Sequence, residues 1–234
     1  SKKRLWEEGK MSDAVRLVRV ERPELSMAEE VCHALSSAPR SIPSKYFYDD
    51  RGSRLFDEIT RLEEYYQTRT EEAILDAVAD AVVERYRPEE LVELGSGVGR
   101  KTRRLLKAMF DRGLLKSCTL FDVNETFLRD SLEGIGRLYP TVDRCGVVGD
   151  FCRDLDKLGS TRRKLIVFFA GTIGNLHPRD EAPDFLRRVA REMRPEDGLL
   201  IGVDLVKDPA RLELAYNDPR GVTAAFNLNI LNVL

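Results

Sequence analysis

Acidic residues and closely spaced glycines stand near the ends of short apolar segments, where they are suited to binding a charged small molecule. Glu93 lies near the end of one such segment and is followed by a turn with glycine at every second position, Gly95–Gly99. Asp122 ends a second segment and Asp150 follows a third. Carboxylates accept hydrogen bonds from hydroxyl and ammonium groups, and glycine lets the backbone approach a ligand without an intervening Cβ. The pattern predicts a site for a ligand that carries both kinds of group.

The spacing of the glycines distinguishes two nucleotide cofactors. A dinucleotide fold carries G-x-G-x-x-G and seats a pyrophosphate on the helix N-terminus, but its third glycine position is Arg100 here. S-adenosylmethionine (SAM) has no pyrophosphate and presents an ammonium, a carboxylate and a sulfonium. An acidic strand end suits that ligand, and Lys101 at the start of the next helix is placed to meet its carboxylate. The turn therefore favours SAM, with a dehydrogenase or a turn that binds nothing as alternatives.

The two later carboxylates strengthen the prediction of SAM. Asp122 stands about where a ribose diol needs a bidentate acceptor, and Asp150 with the ring of Phe151 is placed to flank an adenine. Each aspartate alone is more typical of a helix N-cap. Acidic residues at three neighbouring strand ends are harder to explain by capping alone.

Short strands that alternate with helices position these residues. Apolar segments predict strands at 91–94, 118–122, 146–148, 165–169 and 199–203, and amphipathic patterns predict helices at 70–86, 125–137, 180–193 and 209–216, with another through Leu105, Leu106 and Met109. In the first of these helices, Thr68 and Glu71 have capping-box spacing. Its apolar stripe is predicted to consist of Ile74, Leu75, Val78, Ala81 and Val82. The alternation predicts an α/β fold, a Rossmann-like doubly wound parallel sheet.

The flanks of the chain differ from its centre. The stretch before the sheet is rich in aromatic residues and shows little strand pattern, and the stretch after it is helical. We therefore expect residues 1–69 and 206–234 to contribute to a second, substrate-binding lobe around a cofactor core at 70–205.

Composition narrows the class of protein. The net charge of -2 gives no support for a nucleic-acid or anionic-membrane binder, and basic runs such as Lys2-Lys3-Arg4 and Arg162-Arg163-Lys164 are typical of a solvated surface. The four cysteines lack Cys-x-x-Cys spacing, so no metal site or disulfide framework is predicted; Cys118 and Cys145 are interpreted as small buried apolar residues. No segment is long and apolar enough for a membrane span, which favours the cytoplasm.

Several motifs, taken in order, resemble one family. They are Ser44-Lys45-Tyr46-Phe47-Tyr48-Asp49, Gly52-Ser53-Arg54-Leu55-Phe56-Asp57-Glu58-Ile59-Thr60, Glu64-Tyr65-Tyr66-Gln67-Thr68-Arg69, Leu91-Val92-Glu93-Leu94-Gly95-Ser96-Gly97, Gly171-Thr172-Ile173-Gly174-Asn175, Asp204-Leu205-Val206-Lys207-Asp208 and Gly221-Val222-Thr223-Ala224-Ala225-Phe226-Asn227. From about residue 20 onward the chain is similar to the histidine-specific SAM-dependent methyltransferases. The resemblance implies transfer of methyl groups to the α-amine of L-histidine, giving hercynine in ergothioneine biosynthesis.

The resemblance also implies site residues. Cofactor contacts fall on Gly95, Gly97, Lys101, Asp122, Asp150 and Phe151, and substrate contacts fall on Tyr65, Asn175 and Tyr216, with Tyr48, Phe56 and Thr223 shaping the pocket. Asn175 is assigned to catalysis together with Tyr48. The amine must lose a proton before it attacks the methyl carbon; Tyr48 or a bound water is the candidate acceptor, and no base is fixed.

One departure from the family concerns length. Family members continue beyond Leu234, into sheet strands and a glutamate and serine that hold the histidine imidazole. We therefore expect either a piece of a longer protein or a natural short form, and either poor solubility or an oligomer that covers the incomplete sheet edge. Two alternatives stay open: a methyltransferase for another amino acid, such as a prenylated tryptophan, and a SAM-binding fragment without turnover.

Overall fold

The computed structural model describes residues 15–20, 26–97, 99–158, 160–176 and 179–234. The basic run Lys2-Lys3-Arg4 and Val98, which lies within the turn Gly95–Gly99, are outside these ranges.

Six strands among the described residues form one sheet. In chain order they are β1 (Arg16–Arg19), β2 (Glu90–Leu94), β3 (Ser117–Asp122), β4 (Asp143–Val148), β5 (Lys164–Phe168) and β6 (Gly198–Ile201). Their spatial order is β1-β4-β3-β2-β5-β6, and every neighbouring pair is parallel. All five predicted strands are present, which confirms the predicted Rossmann-like parallel sheet.

The position of β2 explains why the candidate cofactor turn follows it. From β2 the chain moves to β3 and β4 on one side, and then crosses to β5 and β6 on the other side. In open parallel sheets, ligands bind at the carboxyl ends of the strands where the order reverses in this way. Every residue of β2 and β5 is buried, as expected for central strands that are covered on both faces. Strand β2 nevertheless contains Glu90 and Glu93, and β5 begins at Lys164.

Strand β1 was not predicted, because the stretch before the sheet shows little strand pattern in its sequence. Arg16–Arg19 pairs in parallel with Cys145–Val148 at the edge of the sheet. Only Leu17 and Val18 of the strand are apolar, so the segment is too short and too basic to stand out by hydrophobicity. Its partner strand, rather than its own sequence, determines its conformation.

Eight helices occur among the described residues. They are α1 (Met27–Ser36), α2 (Asp50–Ile59), α3 (Tyr66–Tyr86), α4 (Thr102–Asp111), α5 (Glu125–Leu138), α6 (Glu181–Glu192), α7 (Pro209–Tyr216) and α8 (Val222–Val233). Short 3₁₀ turns cover Ser44–Phe47, Leu155–Lys157 and Thr172–Asn175. The predicted helices are all present, with ends that shift by a few residues.

Helix α3 corrects two details of the prediction. It begins at Tyr66, so Thr68 lies inside the first turn and is not an N-cap. The carboxylate of Glu71 instead accepts hydrogen bonds from Lys101 and from the backbone of Ala170. The predicted capping box is therefore wrong, because tertiary partners rather than the helix end use the Glu71 side chain.

The apolar stripe of α3 is also rotated from the predicted one. After the first turn of the helix, the buried residues are Leu75, Ala79 and Val83, which follow one another at intervals of one helical turn. Ile74 is 55% exposed, and Ala81 is exposed too. The buried stripe differs from the predicted one because the sheet covers only the helix face that includes Leu75.

The sheet and its helices enclose an aliphatic core. Leu105, Leu106 and Met109 of α4 are fully buried, as predicted. Cys118 and Cys145 are buried as well, which confirms their interpretation as small apolar residues. Burial raises the pKa of the Cys145 thiol to about 11, so the thiolate form is strongly disfavoured.

The chain divides into two compact units. The sheet unit comprises Gln67–Leu205 and the described part of Ser1–Arg19; the flank unit comprises Val206–Leu234 and the described part of Val20–Tyr66. Within the flank unit, α2 packs against α8, and the side-chain amide of Asn229 donates to Asp49 at 2.7 Å. Asp49 is the N-cap of α2, so this contact joins two segments that are distant in sequence. No helix of the described residues is long and apolar enough to cross a membrane.

Candidate active site

The glycine turn that follows β2 is closed by hydrogen bonds to the end of β3. The amides of Gly95 and Ser96 donate to the carbonyl of Phe121 at 2.8 and 3.2 Å. Gly95, Gly97 and Gly99 have φ values of 74°, 48° and 63°, a region that side chains other than glycine rarely adopt. The alternating glycines are therefore required by the backbone path of the turn.

Asp122 joins the glycine turn to β3 through its carboxylate. Its Oδ2 accepts from the amide of Gly97 at 2.9 Å, and its Oδ1 accepts from the amide of Asn124 at 2.9 Å. Burial raises the pKa of Asp122, and these amides act in the opposite direction. The N-cap of α5 is Asn124, whose side chain accepts from Phe127. Asp122 is thus not the helix cap, and its carboxylate retains lone pairs for a ligand.

Asp150 is placed at the carboxyl end of β4 but is partly occupied by its own turn. Its Oδ1 accepts from the amide of Cys152 at 2.9 Å, and its backbone amide donates to Asp154 at 2.9 Å. Asp150 therefore closes a local turn and is not a helix N-cap, because the N-cap of the following 3₁₀ turn is Asp154. The second carboxylate oxygen lies 3.8 Å from Nε of Arg153.

Phe151 lies close to the glycine turn. A Cβ built on Gly95 would stand 3.5 Å from its ring. The same ring packs edge-on against Phe168 and Phe185, with centroids 5.3 and 5.9 Å away. The aromatic side chain is therefore held in place by the sheet core while it remains partly exposed beside the turn.

Glu93 is the most perturbed acid of this region. Its side chain is 4% exposed, and Oε2 has no hydrogen-bond partner among the described residues. Burial raises the pKa of Glu93 to about 8, while the hydroxyl of Thr102 and the charge of Lys101 act in the opposite direction. A buried, incompletely paired carboxylate is costly to a fold and is typical of functional sites.

Lys101 has a partner within the sheet unit. Its ammonium donates to the Glu71 carboxylate, and both side chains are largely buried, at 13% and 16% exposed. The predicted contact with a cofactor carboxylate must therefore use the remaining donors of the ammonium group, which has three.

Asn175 ends the short loop after β5. The loop turns through two successive residues of positive φ, Ala170 at 62° and Gly171 at 63°, and continues as the 3₁₀ turn Thr172–Asn175. Asn175 is exposed at the end of this turn, so its amide is accessible to a ligand.

In the flank unit, an aromatic cluster brings together four of the predicted residues. Tyr48 packs against Phe56 and Phe226, with centroids 5.6 Å away in each case. Tyr65 packs edge-on against Phe56 at 6.3 Å and against Tyr216 at 5.9 Å. Tyr65 is 4% exposed and Tyr216 is 55% exposed, so the cluster runs from the interior of this unit to its surface.

Thr223 has a structural contact of its own. It is buried in the first turn of α8, and its backbone amide donates to Oδ1 of Asp218 at 2.7 Å. The amide of Val222 donates to the other oxygen of Asp218 at 3.0 Å. Thr223 is therefore held by the capping of α8.

The predicted residues fall into two groups, each within one unit. The cofactor residues and Asn175 belong to the sheet unit, and the remaining substrate residues belong to the flank unit. Sequence reasoning missed the role of Glu71, which contacts both Lys101 and the loop that leads to Asn175. A signal was available, because Glu71 lies one turn before Leu75 on the buried stripe of α3. Among the described residues, no group of three or more acidic, histidine or cysteine side chains is placed to hold a metal ion.

A parallel sheet that reverses its strand order beside a glycine turn, with acids at the carboxyl ends of β2, β3 and β4, defines the class I SAM-dependent methyltransferase fold. Comparison with known proteins narrows this class. The chain belongs to the family described as histidine-specific methyltransferase, SAM-dependent, whose model matches residues 27–234.

Individual relatives and a solved structure agree with this assignment. Histidine N-alpha-methyltransferase of Mycolicibacterium smegmatis is 47% identical over 89% of this chain, which spans 65% of that relative's length. Ergothioneine biosynthesis protein 1 of Schizosaccharomyces pombe is 35% identical over 81% of this chain and 26% of that protein. A crystal structure of a DUF574 family protein from Streptomyces avermitilis is similar in fold, with a TM-score of 0.55 at 16% identity, covering 77% of this chain and 71% of that chain.

Proposed function

We propose that this chain is the SAM-binding part of an N-methyltransferase that transfers methyl groups to the α-amine of L-histidine, giving hercynine for ergothioneine biosynthesis. The single observation that supports cofactor use best is the Asp122 carboxylate, held by the Gly97 amide at 2.9 Å beside the glycine turn. The 47% identity to a histidine N-alpha-methyltransferase supports the substrate. Because the chain spans 65% of that relative, activity of this chain by itself is part of the proposal.

The residues of the sheet unit fit SAM by their chemistry. Asp122 is proposed to accept from the ribose hydroxyls, and Asp150 with Phe151 to contact the adenine. Gly95 and Gly97 leave the backbone of the turn open to a ligand, and Lys101 is proposed to meet the carboxylate. The buried Oε2 of Glu93, which has no partner among the described residues, is an acceptor suited to an ammonium group.

SAM supplies a methyl group on a sulfonium that is already an activated leaving group. The contribution of the protein is therefore to orient the amine and to exclude water. Asn175 is suited to orientation because its amide both donates to a carboxylate and accepts from an ammonium. Tyr48 is proposed to help remove the amine proton, directly or through water.

We propose that the flank unit carries the substrate lobe, with residues 1–69 and 206–234 around a core at 70–205. Tyr65 and Tyr216 are proposed to contact the amino acid, while Phe56 and Thr223 shape its pocket. The aromatic cluster supports this role, because it offers a partly buried surface with phenolic hydroxyls for a planar imidazole.

Two rival functions remain to be tested. A methyltransferase for another amino acid, such as a prenylated tryptophan, would use the same sheet unit. A SAM-binding fragment would keep Asp122 and the glycine turn but would transfer no methyl group.

Calorimetric titration of the chain with SAM, and then with L-histidine, separates these functions. The proposal predicts SAM binding followed by histidine binding. SAM binding without histidine binding would favour one of the two rivals, and an added assay with tryptophan derivatives would decide between them. Binding of NADH in place of SAM would favour a dehydrogenase. The Mycolicibacterium smegmatis relative serves as the positive control.

Two further proposals concern association and location. Val203 and Leu205 follow the edge strand β6 of the sheet unit and are exposed, at 60% and 74%. We propose that copies of this chain associate through this edge, and a monomer in size-exclusion chromatography would contradict that. Cytoplasmic location stays a prediction from the sequence.

A further inference from the structure

We propose that Glu71 is a positioning residue that fixes Lys101 relative to the 170–175 loop. Lys101 lies beside the glycine turn, and the loop ends at Asn175. The inference rests on the proposed function for its catalytic consequences, since Lys101 and Asn175 act there on the cofactor and on the amino acid. Its structural part can be tested separately.

The Glu71 carboxylate lies where three elements of the sheet unit meet. It accepts a hydrogen bond from the ammonium of Lys101, just before α4. The backbone amide of Ala170, just after β5, points at both carboxylate oxygens, at 3.2 Å from Oε1 and 3.0 Å from Oε2. A single side chain of α3 thus contacts both the helix after the cofactor turn and the loop after β5.

The close approach of a third element fixes the carboxylate from another side. A Cβ built on Gly202, just after β6, would stand 1.7 Å from Oε1 of Glu71. Glycine at this position therefore leaves the space that the carboxylate fills. Gly202 is itself held, because its amide donates to the carbonyl of Phe168 at 2.9 Å.

The contact with Ala170 is needed because the backbone there is strained. Ala170 has a φ of 62°, a conformation that a residue with a Cβ adopts only when its surroundings enforce it. The hydrogen bond to Glu71 is one such constraint, and it acts directly before the 3₁₀ turn Thr172–Asn175. Loss of the carboxylate should therefore release the loop that carries Asn175.

Substitution of Glu71 should affect cofactor and substrate by separate routes. Without the carboxylate, Lys101 loses the partner that orients it, which weakens SAM binding. Independently, the loop relaxes and misplaces Asn175, and small misplacements of positioning groups have large kinetic effects. Glu71 does not need to touch the reacting atoms to produce either effect.

The matched pair of variants is Glu71→Gln and Glu72→Gln. Both remove one negative charge from the same helix. Glu72 pairs instead with Arg104, at 3.6 Å. A third variant, Glu71→Gln/Ala170→Gly, removes the backbone strain while leaving Lys101 without its carboxylate partner. Glu71→Asp is added as a milder change that retains the charge, in case the glutamine variant does not fold.

Hydrogen exchange of the free protein and SAM calorimetry provide the two main readouts. We expect Glu71→Gln to accelerate exchange of the amides at 170–176 and to weaken SAM binding about tenfold, with Glu71→Asp changing both in the same direction. Glu72→Gln should leave both unchanged. We also expect kcat/KM for histidine to fall by about tenfold or more in Glu71→Gln. The double variant should recover the protection of the loop amides and part of this kcat/KM. Its SAM affinity should stay as low as that of Glu71→Gln.

Two outcomes would overturn the inference. One is that Glu71→Gln and Glu72→Gln show the same exchange of the amides at 170–176 and the same SAM affinity. The other is faster exchange throughout β2 and β5 as well as the loop, which would indicate a general loss of stability. Neither readout requires methyl transfer. If the unsubstituted chain failed to methylate histidine, the proposed function would fail while exchange at 170–176 still decided the role of Glu71.

Discussion

The sheet unit and the flank unit each bury a carboxylate, and the pKa values of these two carboxylates shift in opposite directions. Glu93 and Asp218 are both 4% exposed. Burial raises the pKa of Glu93 to about 8. At Asp218, burial acts in the same direction, but hydrogen bonds from the amides of Thr223 and Val222 outweigh it and hold the pKa below its usual value.

The difference separates a structural acid from a candidate binding acid. Asp218 accepts two backbone amides at the start of α8, so each of its carboxylate oxygens has a partner within the fold. One oxygen of Glu93 is buried with no partner among the described residues. Because an unpaired buried acceptor is costly, Glu93 is the candidate binding acid of the sheet unit.

The largest expected effect tests the cofactor side of this comparison. Asp122→Ala removes the carboxylate beside the glycine turn and should weaken SAM binding by about a hundredfold, since hydrogen bonds to charged groups contribute about 1.5–3 kcal/mol each. Calorimetry measures the change. The control is Asp143→Ala at the opposite end of β4, where the carboxylate pairs with Arg162 at 2.9 Å. Equal affinities for the two variants would contradict the assignment of Asp122.

The two buried acids should also differ in their effect on pH dependence. With a folded-state pKa of about 8 against an ordinary value of 4.5, Glu93 keeps a proton that the unfolded chain releases, so the free energy of unfolding falls as pH rises through this window. Glu93→Gln removes the effect. The free energy of unfolding of Glu93→Gln minus that of the unsubstituted chain should therefore rise by about 2 kcal/mol between about pH 6 and about pH 8.

Asp218→Asn is the control for this prediction. Its lowered pKa affects the pH dependence only in acid, so the difference between this variant and the unsubstituted chain should stay constant between about pH 6 and about pH 8. Urea unfolding at several pH values measures both variants. Parallel profiles for Glu93→Gln and the unsubstituted chain would show that Glu93 is ionised normally.

A smaller effect is expected in the flank unit. Tyr65→Phe removes one hydroxyl and should raise the KM for histidine about tenfold, the effect of losing about 1.4 kcal/mol of binding, while SAM affinity stays unchanged. Steady-state kinetics and SAM calorimetry test the two parts. Tyr139→Phe, in the sheet unit beside Phe110, serves as the control for loss of a hydroxyl. A change in SAM affinity for Tyr65→Phe would mean that the roles of the two units are not separate.

The smallest effect distinguishes backbone strain from ligand contact. Gly95→Ala and Gly113→Ala each place a Cβ at positive φ, 74° and 66°, and each should lower the free energy of unfolding by about 1 kcal/mol. No atom lies within 4 Å of the new Cβ at Gly113. Only Gly95→Ala should also weaken SAM binding. If both variants bound SAM normally, the turn would be structural.

Much of the sheet unit could be predicted because its signals are local. Buried central strands are mostly apolar, and acids at strand ends become neighbours once the strands are parallel. Strand β1 was not predictable in this way, since its four residues acquire their conformation from pairing with β4. The partner of Lys101 was not predictable either, because α3 and the glycine turn are adjacent only in the folded sheet unit.

The flank unit is harder to predict from residue patterns. The contact between Asp49 and Asn229 joins residues 180 positions apart, and Phe226 packs on Tyr48 across a similar separation. An aromatic residue in such a cluster looks the same in sequence whether it serves a core or a ligand. Only the family resemblance indicated Tyr65 and Tyr216 as substrate residues.

The proposed reaction, in which this chain uses SAM to methylate the α-amine of histidine, can be tested by nuclear magnetic resonance of its product. L-histidine and SAM with a carbon-13-labelled methyl group are the substrates. We expect label on the α-nitrogen of histidine, and loss of that signal in Asp122→Ala. Label on an imidazole nitrogen, or no labelled histidine from a chain that binds SAM, would contradict it.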